Sequence, residues 1–248
     1  MRKTVLITGA SAGIGAVTAR LAARDGWDVA LAYGHDRVGA EQAAAAAAAE
    51  GARTALLQAD LADPETPERL FAAFDAAFPR LDALVNNAGV VDVAARVEDY
   101  TPARLARMFA INTVAPMLCA GAAVRRMSTA RGGAGGVIVN VSSIAARLGS
   151  ANQYVDYAAS KAAIDTFSKG LADEVAAEGI RVVALRPGIV ETEIHAKGGD
   201  PDRAQRLAGA IPMRRPGRPE EIAEAIVWLL SDRASYLTGT TVDVSGGR

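Results

Sequence analysis

Short β-rich apolar runs alternate with longer helical patterns from one end of this chain to the other, and no other feature restricts its fold as much. The strand candidates are Thr4 to Thr8, Asp28 to Tyr33, Thr54 to Gln58, Ala83 to Asn86, Val137 to Val141, Arg181 to Leu185 and Thr241 to Val244. Helical patterns lie between them at Gly13 to Arg24, Pro64 to Ala77, Pro102 to Met127, Tyr154 to Glu178 and Pro219 to Leu230. Pro219 suits a first helical turn, where its missing N–H leaves no bond unmade. Strands that are apolar throughout, each followed by a helix, imply a parallel sheet covered on both faces. The expectation is a single α/β domain over residues 1–248, a Rossmann-like, doubly wound parallel sheet of about seven strands. No linker or composition break divides the chain.

Half of the 248 residues are hydrophobic but only 5% are aromatic, so the core must be mainly aliphatic. A net charge of −1 leaves no electrostatic footprint for nucleic acid or an anionic membrane. The one cysteine, Cys119, excludes an internal disulfide and a cysteine-based metal site, which fits a reducing, cytoplasmic compartment. The apolar run after Met1-Arg2-Lys3 is too short for a signal segment. No apolar stretch is expected to approach the ~18 residues of a membrane span. The partner implied is a small molecule, with no metal. Ala43 to Ala49 reads as a helix packed on the surface with no chemistry of its own. Arg131 to Gly136 is glycine-rich but lies after a helix and before a strand, the reverse of a phosphate loop, and reads as a flexible turn.

Gly9, Gly13 and Gly15 stand in the productive order, directly after the first strand and opening a helix. Glycines there let the chain turn sharply and bring its backbone close to a pyrophosphate, which the free N–H groups and positive end of the helix attract. Ser11 and Ile14 fall inside the same loop. The spacing Gly-x-x-x-Gly-x-Gly differs from the commoner dinucleotide fingerprint and also fits an ordinary tight turn. Asp60-Leu61 follows the third strand, where a carboxylate can accept from an adenine amino group; a helix N-cap is the plain alternative for Asp60. Asn87, Ala88 and Gly89 follow the fourth strand, beside the point where open α/β sheets bind ligands.

Tyr157 and Lys161, four apart, project from one face of a helix. A tyrosine of pKa ~10 is a poor proton donor or acceptor at neutral pH. A neighbouring ammonium, with the positive charge of an oxidised nicotinamide, favours the phenolate and brings that pKa toward the working range. Tyr154 has Ala158 four residues on, so no proton transfer is assigned to it. Ser143 ends the Val137 to Ser143 run at the ligand-binding edge of the sheet, where its hydroxyl can donate to a substrate oxygen, with Ser142 as competitor. Asn112 sits inside a helical pattern that asparagine does not favour, which fits a kink or a capped break.

Taken in order, Thr8 to Gly15, Asp60, Asn86 to Gly89, Asn112, Ser143, Tyr157 to Lys161 and Pro187-Gly188-Ile189-Val190-Glu191-Thr192 resemble the short-chain dehydrogenase/reductase family over essentially the whole chain. The resemblance implies an oxidoreductase that interconverts a carbonyl and a secondary alcohol by hydride transfer. It gives Asn112 a water-linked proton relay, Lys161 the nicotinamide ribose, and Asn86 to Gly89 the adenine ribose and support of the sheet. Pro187, Gly188, Ile189 and Thr192 would hold the nicotinamide carboxamide. The resemblance and the fourteen-residue separation from Tyr157 favour Ser143 over Ser142. The ending Tyr236 to Arg248 looks like that of tetrameric relatives resembling 3-oxoacyl-carrier-protein reductases and glucose dehydrogenases, which implies a homotetramer. A non-catalytic dinucleotide-binding sensor or scaffold is the alternative from another class. A sugar-nucleotide epimerase would need a larger carboxyl-terminal region.

NAD or NADP is decided near the end of the second strand, where an acid accepts from a ribose 2′-OH and repels a 2′-phosphate. Tyr33 stands there instead, with His35 and Arg37 following, which favours NADP(H) and leaves NAD(H) open. Ala12, in place of a basic residue within the glycine motif, and the nearby Asp36 weigh against NADP. Residues 193–212, with Gly198-Gly199, read as a substrate lid; His195 within it could touch substrate, but reads more simply as a solvated loop residue.

Overall fold

The computed structural model describes residues 2–248. Seven strands form one sheet: β1 (Lys3–Thr8), β2 (Trp27–Tyr33), β3 (Thr54–Gln58), β4 (Ala83–Asn86), β5 (Gly136–Val141), β6 (Ile180–Pro187) and β7 (Thr240–Val244). All pair in parallel, in the order β3-β2-β1-β4-β5-β6-β7. Successive residues of a strand point to opposite faces, and both faces here are buried. Val5 and Ile7 of β1 join one apolar cluster and Leu6 joins the other. The first cluster is closed by α1 (Gly13–Arg24), α2 (Arg37–Ala49) and α10 (Pro219–Leu230). The second is closed by α3 (Thr66–Ala77), α5 (Ala115–Met127) and α7 (Val155–Val175). In α2 the buried residues are Ala40, Ala43, Ala44 and Ala47, a helical stripe whose methyl groups let the helix lie close to the sheet.

The helical run from Pro102 to Met127 is not one α-helix. It divides into α4 (Pro102–Phe109), a π turn at Ala110–Val114, and α5. Pro116 has no N–H to give the carbonyl of Asn112 four residues back, so the ladder opens there. Asn112 uses the break: its Oδ1 accepts from Val90 N at 2.8 Å, and its Nδ2 donates to Val90 O at 2.9 Å. By length and composition the same 26 residues could cross a membrane, an 18-residue window within them having a mean hydropathy of 1.3, contrary to the expectation of no such stretch. Much of this segment is buried inside the fold, and α5 lies against the sheet as a core element.

The other differences are local. The helix expected from Tyr154 begins at Val155, with α6 (Ala145–Leu148) before it, and ends in a 3-10 turn at Ala176–Glu178. The helix expected from Pro64 begins at Thr66. The glycine-rich segment before β5 is a tight crossing rather than a flexible turn. Gly135 has φ +78°, and a Cβ on it would lie 2.6 Å from the carbonyl oxygen of Gly179.

The strand order reverses between β1 and β4, which leaves a crevice outside the carboxyl ends of the strands. The segments after β1, β4, β5 and β6 all open onto it. Two short helices, α8 (Ile194–Lys197) and α9 (Arg203–Arg206), follow β6 and lie over its rim.

Candidate active site

A cavity of about 640 Å³ occupies this crevice. Its first wall is the turn between β1 and α1. Gly9 has φ +64°, and a Cβ there would come within 2.8 Å of Ala88 Cα, so the β1 and β4 exits touch backbone to backbone. Asn87 holds that contact: its Nδ2 donates to the carbonyls of Thr8 and Gly9, both at 3.0 Å. The Thr8 hydroxyl accepts from the N–H groups of Asn87 and Ala88. A Cβ on Gly15 would collide with the Gly9 carbonyl and lie 2.5 Å from Asn87 Nδ2. Gly15 therefore shapes the loop from behind, while Gly9, Ser11, Gly13 and Ile14 line the cavity. The N-cap of α1 is Ala12, with no capping side chain and no acid in the first turn, so the helix offers bare N–H groups and an uncompensated positive end. This is a fitting cradle for a dinucleotide pyrophosphate.

The second wall comes from β5 and α7. Ser143, Tyr157 and Lys161 all line the cavity, together with Ala88 and Gly89. The two serines separate by geometry. The Ser142 hydroxyl is buried and donates to the Lys161 carbonyl at 3.0 Å, tying β5 to α7. The Ser143 hydroxyl faces the Tyr157 phenol instead. Lys161 is 4% exposed; its Nζ donates to Val141 O at 2.8 Å and lies 5.8 Å from the Tyr157 ring centroid. Burial holds the Lys161 ammonium down at about 8, against the opposing pull of Asp165 one turn along. Burial also pushes the Tyr157 phenol up, opposed by the Ser143 hydroxyl and the charge of Arg203. The lowering expected from Lys161 is not among the effects that oppose burial in the protein alone.

Asn112 is fully buried behind Gly89; besides holding Val90, its Nδ2 donates to Ser160 Oγ at 3.2 Å. A Cβ on Gly89 would meet Lys161 Nζ at 3.3 Å and Asn112 Oδ1 at 3.5 Å, so only a glycine-sized gap separates the two. Pro187, Gly188, Ile189 and Thr192 line the cavity from the end of β6.

Besides Gly15, four expected cofactor residues lie away from the cavity wall. Tyr33 is buried at the end of β2. Arg37 is largely exposed and pairs with Glu41 on its own helix at 2.8 Å. Asp36 caps α2, accepting from Gly39 N at 2.9 Å. Asp60 accepts from Ala62 N at 3.1 Å, and Leu61 faces a separate shallow hollow beside Phe109.

Sequence reasoning missed a buried chain running from Asn86 Nδ2 to Asn140 Oδ1 (2.9 Å), then from Asn140 Nδ2 to Ser168 Oγ (2.9 Å). It links β4 and β5 to α7 and fixes the helix that carries Tyr157 and Lys161. An asparagine at position 140, inside an apolar strand, was the available signal. Two other residues set aside in the sequence reading also reach the cavity. Tyr154 is buried in its wall. His195 lines it too, with Nε2 2.9 Å from Val190 O and its imidazole pKa lowered by burial, so it is no solvated loop residue.

The comparisons with known proteins agree with this geometry. Residues 9–248 match the family described as Enoyl-(Acyl carrier protein) reductase. The chain belongs to the short-chain dehydrogenase/reductase family. It is similar to an uncharacterized oxidoreductase, YgfF, of Escherichia coli K12, at 49% identity over 98% of each chain. A short-chain dehydrogenase from Burkholderia cenocepacia, solved in complex with NADP, superposes with a TM-score of 0.90 at 30% identity, over 99% of this chain and 97% of that one. A 3-ketoacyl-(acyl-carrier-protein) reductase from Brucella melitensis, complexed with NADH, also gives 0.90, at 31% identity over 99% and 98%. The protein is accordingly an NAD(P)-dependent oxidoreductase of a family that acts on alcohols and carbonyls.

Proposed function

We propose that this short-chain dehydrogenase/reductase prefers NADP(H) and interconverts a ketone or 3-oxoacyl-type carbonyl with a secondary alcohol, with Tyr157 handling the proton. The observation that carries the reading is the meeting of Ser143, Tyr157 and Lys161 at one end of the cavity, with the bare N-terminus of α1 at the other. A nicotinamide dinucleotide, when bound, supplies or takes up the hydride. Tyr157 gives its phenolic proton to the substrate oxygen in reduction and removes it in oxidation. Ser143 donates to the same oxygen and orients it. Lys161, whose Nζ has only one bonded acceptor among the described residues, keeps donors free for ribose hydroxyls. Its proximity to the phenol, together with an oxidised nicotinamide, opposes the burial that holds the Tyr157 pKa up. Asn112 holds the Val90 backbone beside Lys161 and leads from it toward a proton relay.

Residues 193–212 act as the lid over the substrate. The exposed Leu105, Val114 and Leu118 on and between α4 and α5 fit an association face in a homotetramer. The single, buried Cys119 accords with a cytoplasmic setting. The NADP preference rests on Arg37, which swings from Glu41 to a 2′-phosphate, and on Asp36, whose carboxylate is engaged in capping α2 rather than facing a ribose.

The test is consumption of reduced nicotinamide, with NADPH and NADH separately, across small ketones, 3-oxoacyl thioesters, quinones and sugar lactones. The expected result is turnover favouring NADPH. Arg37→Ala should then lower kcat/KM for NADPH by about tenfold, as for loss of a charge-assisted hydrogen bond, with a much smaller change for NADH. An unchanged preference in Arg37→Ala refutes this account of cofactor choice.

A further inference from the structure

The cations on the lid are not alike. Lys197 pairs with Glu193 at 3.7 Å, and Arg206 pairs with Asp200. Arg203, one turn before Arg206 in chain order, has no carboxylate partner among the described residues, although it is partly buried and lines the cavity. Its guanidinium carbon stands 5.1 Å from the Tyr154 ring centroid, over the ring face. One of its five N–H donors is bonded, from Nη2 to Gln153 Oε1 at 3.1 Å. Tyr154 and Gln153 thus fix the plane of the guanidinium and leave donors unbonded at the cavity.

The surrounding charge is one-sided. Among the described residues that line the cavity, those with charged side chains are Lys161, Lys197, Arg203, Arg248 and Glu193, and Glu193 is already paired with Lys197. At the catalytic end, the charge of Arg203 is felt by the Tyr157 phenol itself. A partly desolvated guanidinium without a counter-ion is unfavourable, and an arriving anion relieves it. A planar fork held against an aromatic ring suits a carboxylate, which it can receive through two parallel hydrogen bonds.

We propose that Arg203, positioned by Tyr154 and Gln153, binds a carboxylate carried by the substrate, so that the enzyme acts on small oxo acids and hydroxy acids whose reacting carbon lies several bonds from the carboxylate. This rests on the oxidoreductase reading above and names the substrate class for it. The cavity volume of about 640 Å³ has to admit the nicotinamide end of the cofactor as well, which keeps the substrate small.

The experiment pairs each of 4-oxopentanoate, 5-oxohexanoate and 4-acetylbenzoate with its methyl ester, using the enzyme with NADPH. It measures kcat/KM and, separately, binding to the enzyme–NADPH complex through nucleotide fluorescence. In the wild type the best acid should exceed its ester by about 10- to 100-fold, the range for a hydrogen-bonded charge pair. Arg203→Met should bring that ratio close to one, and Arg203→Lys should retain part of it; circular dichroism checks that both variants fold. Equal use of acid and ester by the wild type, or a ratio unmoved in Arg203→Met, overturns the proposal while leaving the oxidoreductase reading intact. Binding of acids but not esters, lost in Arg203→Met and unaccompanied by turnover, upholds the anion site and counts against the oxidoreductase reading for these ketones. Neither turnover nor acid-selective binding overturns the proposal.

Discussion

Replacing Lys161 by methionine should stabilise the folded protein at neutral pH while removing its activity. Burial lowers the Lys161 pKa from 10.5 to about 8, so the unfolded chain binds a proton that the folded chain releases between those values. Stability from this group therefore rises with pH from about 8 to about 10.5, and below about 8 its full penalty is present. At 1.36 kcal/mol for each pH unit of displacement, that penalty is roughly 3 kcal/mol. Methionine fills a similar volume without charge. It gives up the hydrogen bond to Val141 O, a loss of about 1 kcal/mol. The net effect near pH 7 is a gain of about 2 kcal/mol, or a rise in Tm of roughly 4–8 °C for a domain of this size. At pH 10.5 the lysine is neutral in the folded state and half protonated in the unfolded one, so most of the penalty is gone and the variant should be less stable than wild type, by up to about 1 kcal/mol as the pH rises further. Urea denaturation of both proteins without cofactor, at several pH values, reads this directly. A stability difference that keeps the same sign and size from pH 7 to pH 10.5 refutes the reasoning.

Two further predictions rest on the framework around the site. Gly15→Ala should weaken dinucleotide binding by at least about tenfold, because its methyl group displaces the Gly9 carbonyl and the Asn87 amide that close the β1 and β4 exits; fluorescence titration with NADPH checks this, and an unchanged Kd contradicts it. Asp156→Ala should destabilise the protein by about 3 kcal/mol or more, because it leaves Arg104, 2.7 Å away in wild type and 11% exposed, without its partner. Arg104 holds the Asp156 carboxyl below its ordinary value against the opposing effect of burial. The pair's contribution is therefore present above about pH 4 and fades as pH falls through the lowered value. A variant whose stability matches wild type at pH 7 would show the ion pair to be inconsequential.

The sheet was legible because its strands are apolar on both faces, a pattern that Leu6 flanked by Val5 and Ile7 shows in miniature. Every strand lies where its apolar run is, with ends differing by a residue or two. Ser143, Tyr157 and Lys161 were readable because helix spacing and strand direction are local properties, and the topology then brings the two segments together. What stayed hidden depends on contacts between distant segments. The π turn needs Pro116 and Val90 as well as Asn112. Resemblance and spacing favour Ser143 over Ser142, but the physical reason, the bond from Ser142 to the Lys161 carbonyl, is visible only in the fold. The contacts of Arg203 with Tyr154 and Gln153 appear only once the chain has folded, since 49 residues or more separate the arginine from the ring and amide that hold it. Tyr33, Arg37 and Asp60 stand where the strand ends put them, but side-chain pairing and capping, invisible to motif spacing, decide which way they face.

The central claim is that Tyr157 moves the proton in a nicotinamide-dependent interconversion of carbonyl and alcohol. It is tested most directly by following NADPH oxidation with a ketone that the wild type reduces, in wild type and Tyr157→Phe, with the cofactor Kd measured in both. The account predicts a fall in kcat of about 100-fold or more, with cofactor affinity nearly unchanged. Near-normal turnover in a folded Tyr157→Phe protein would contradict it.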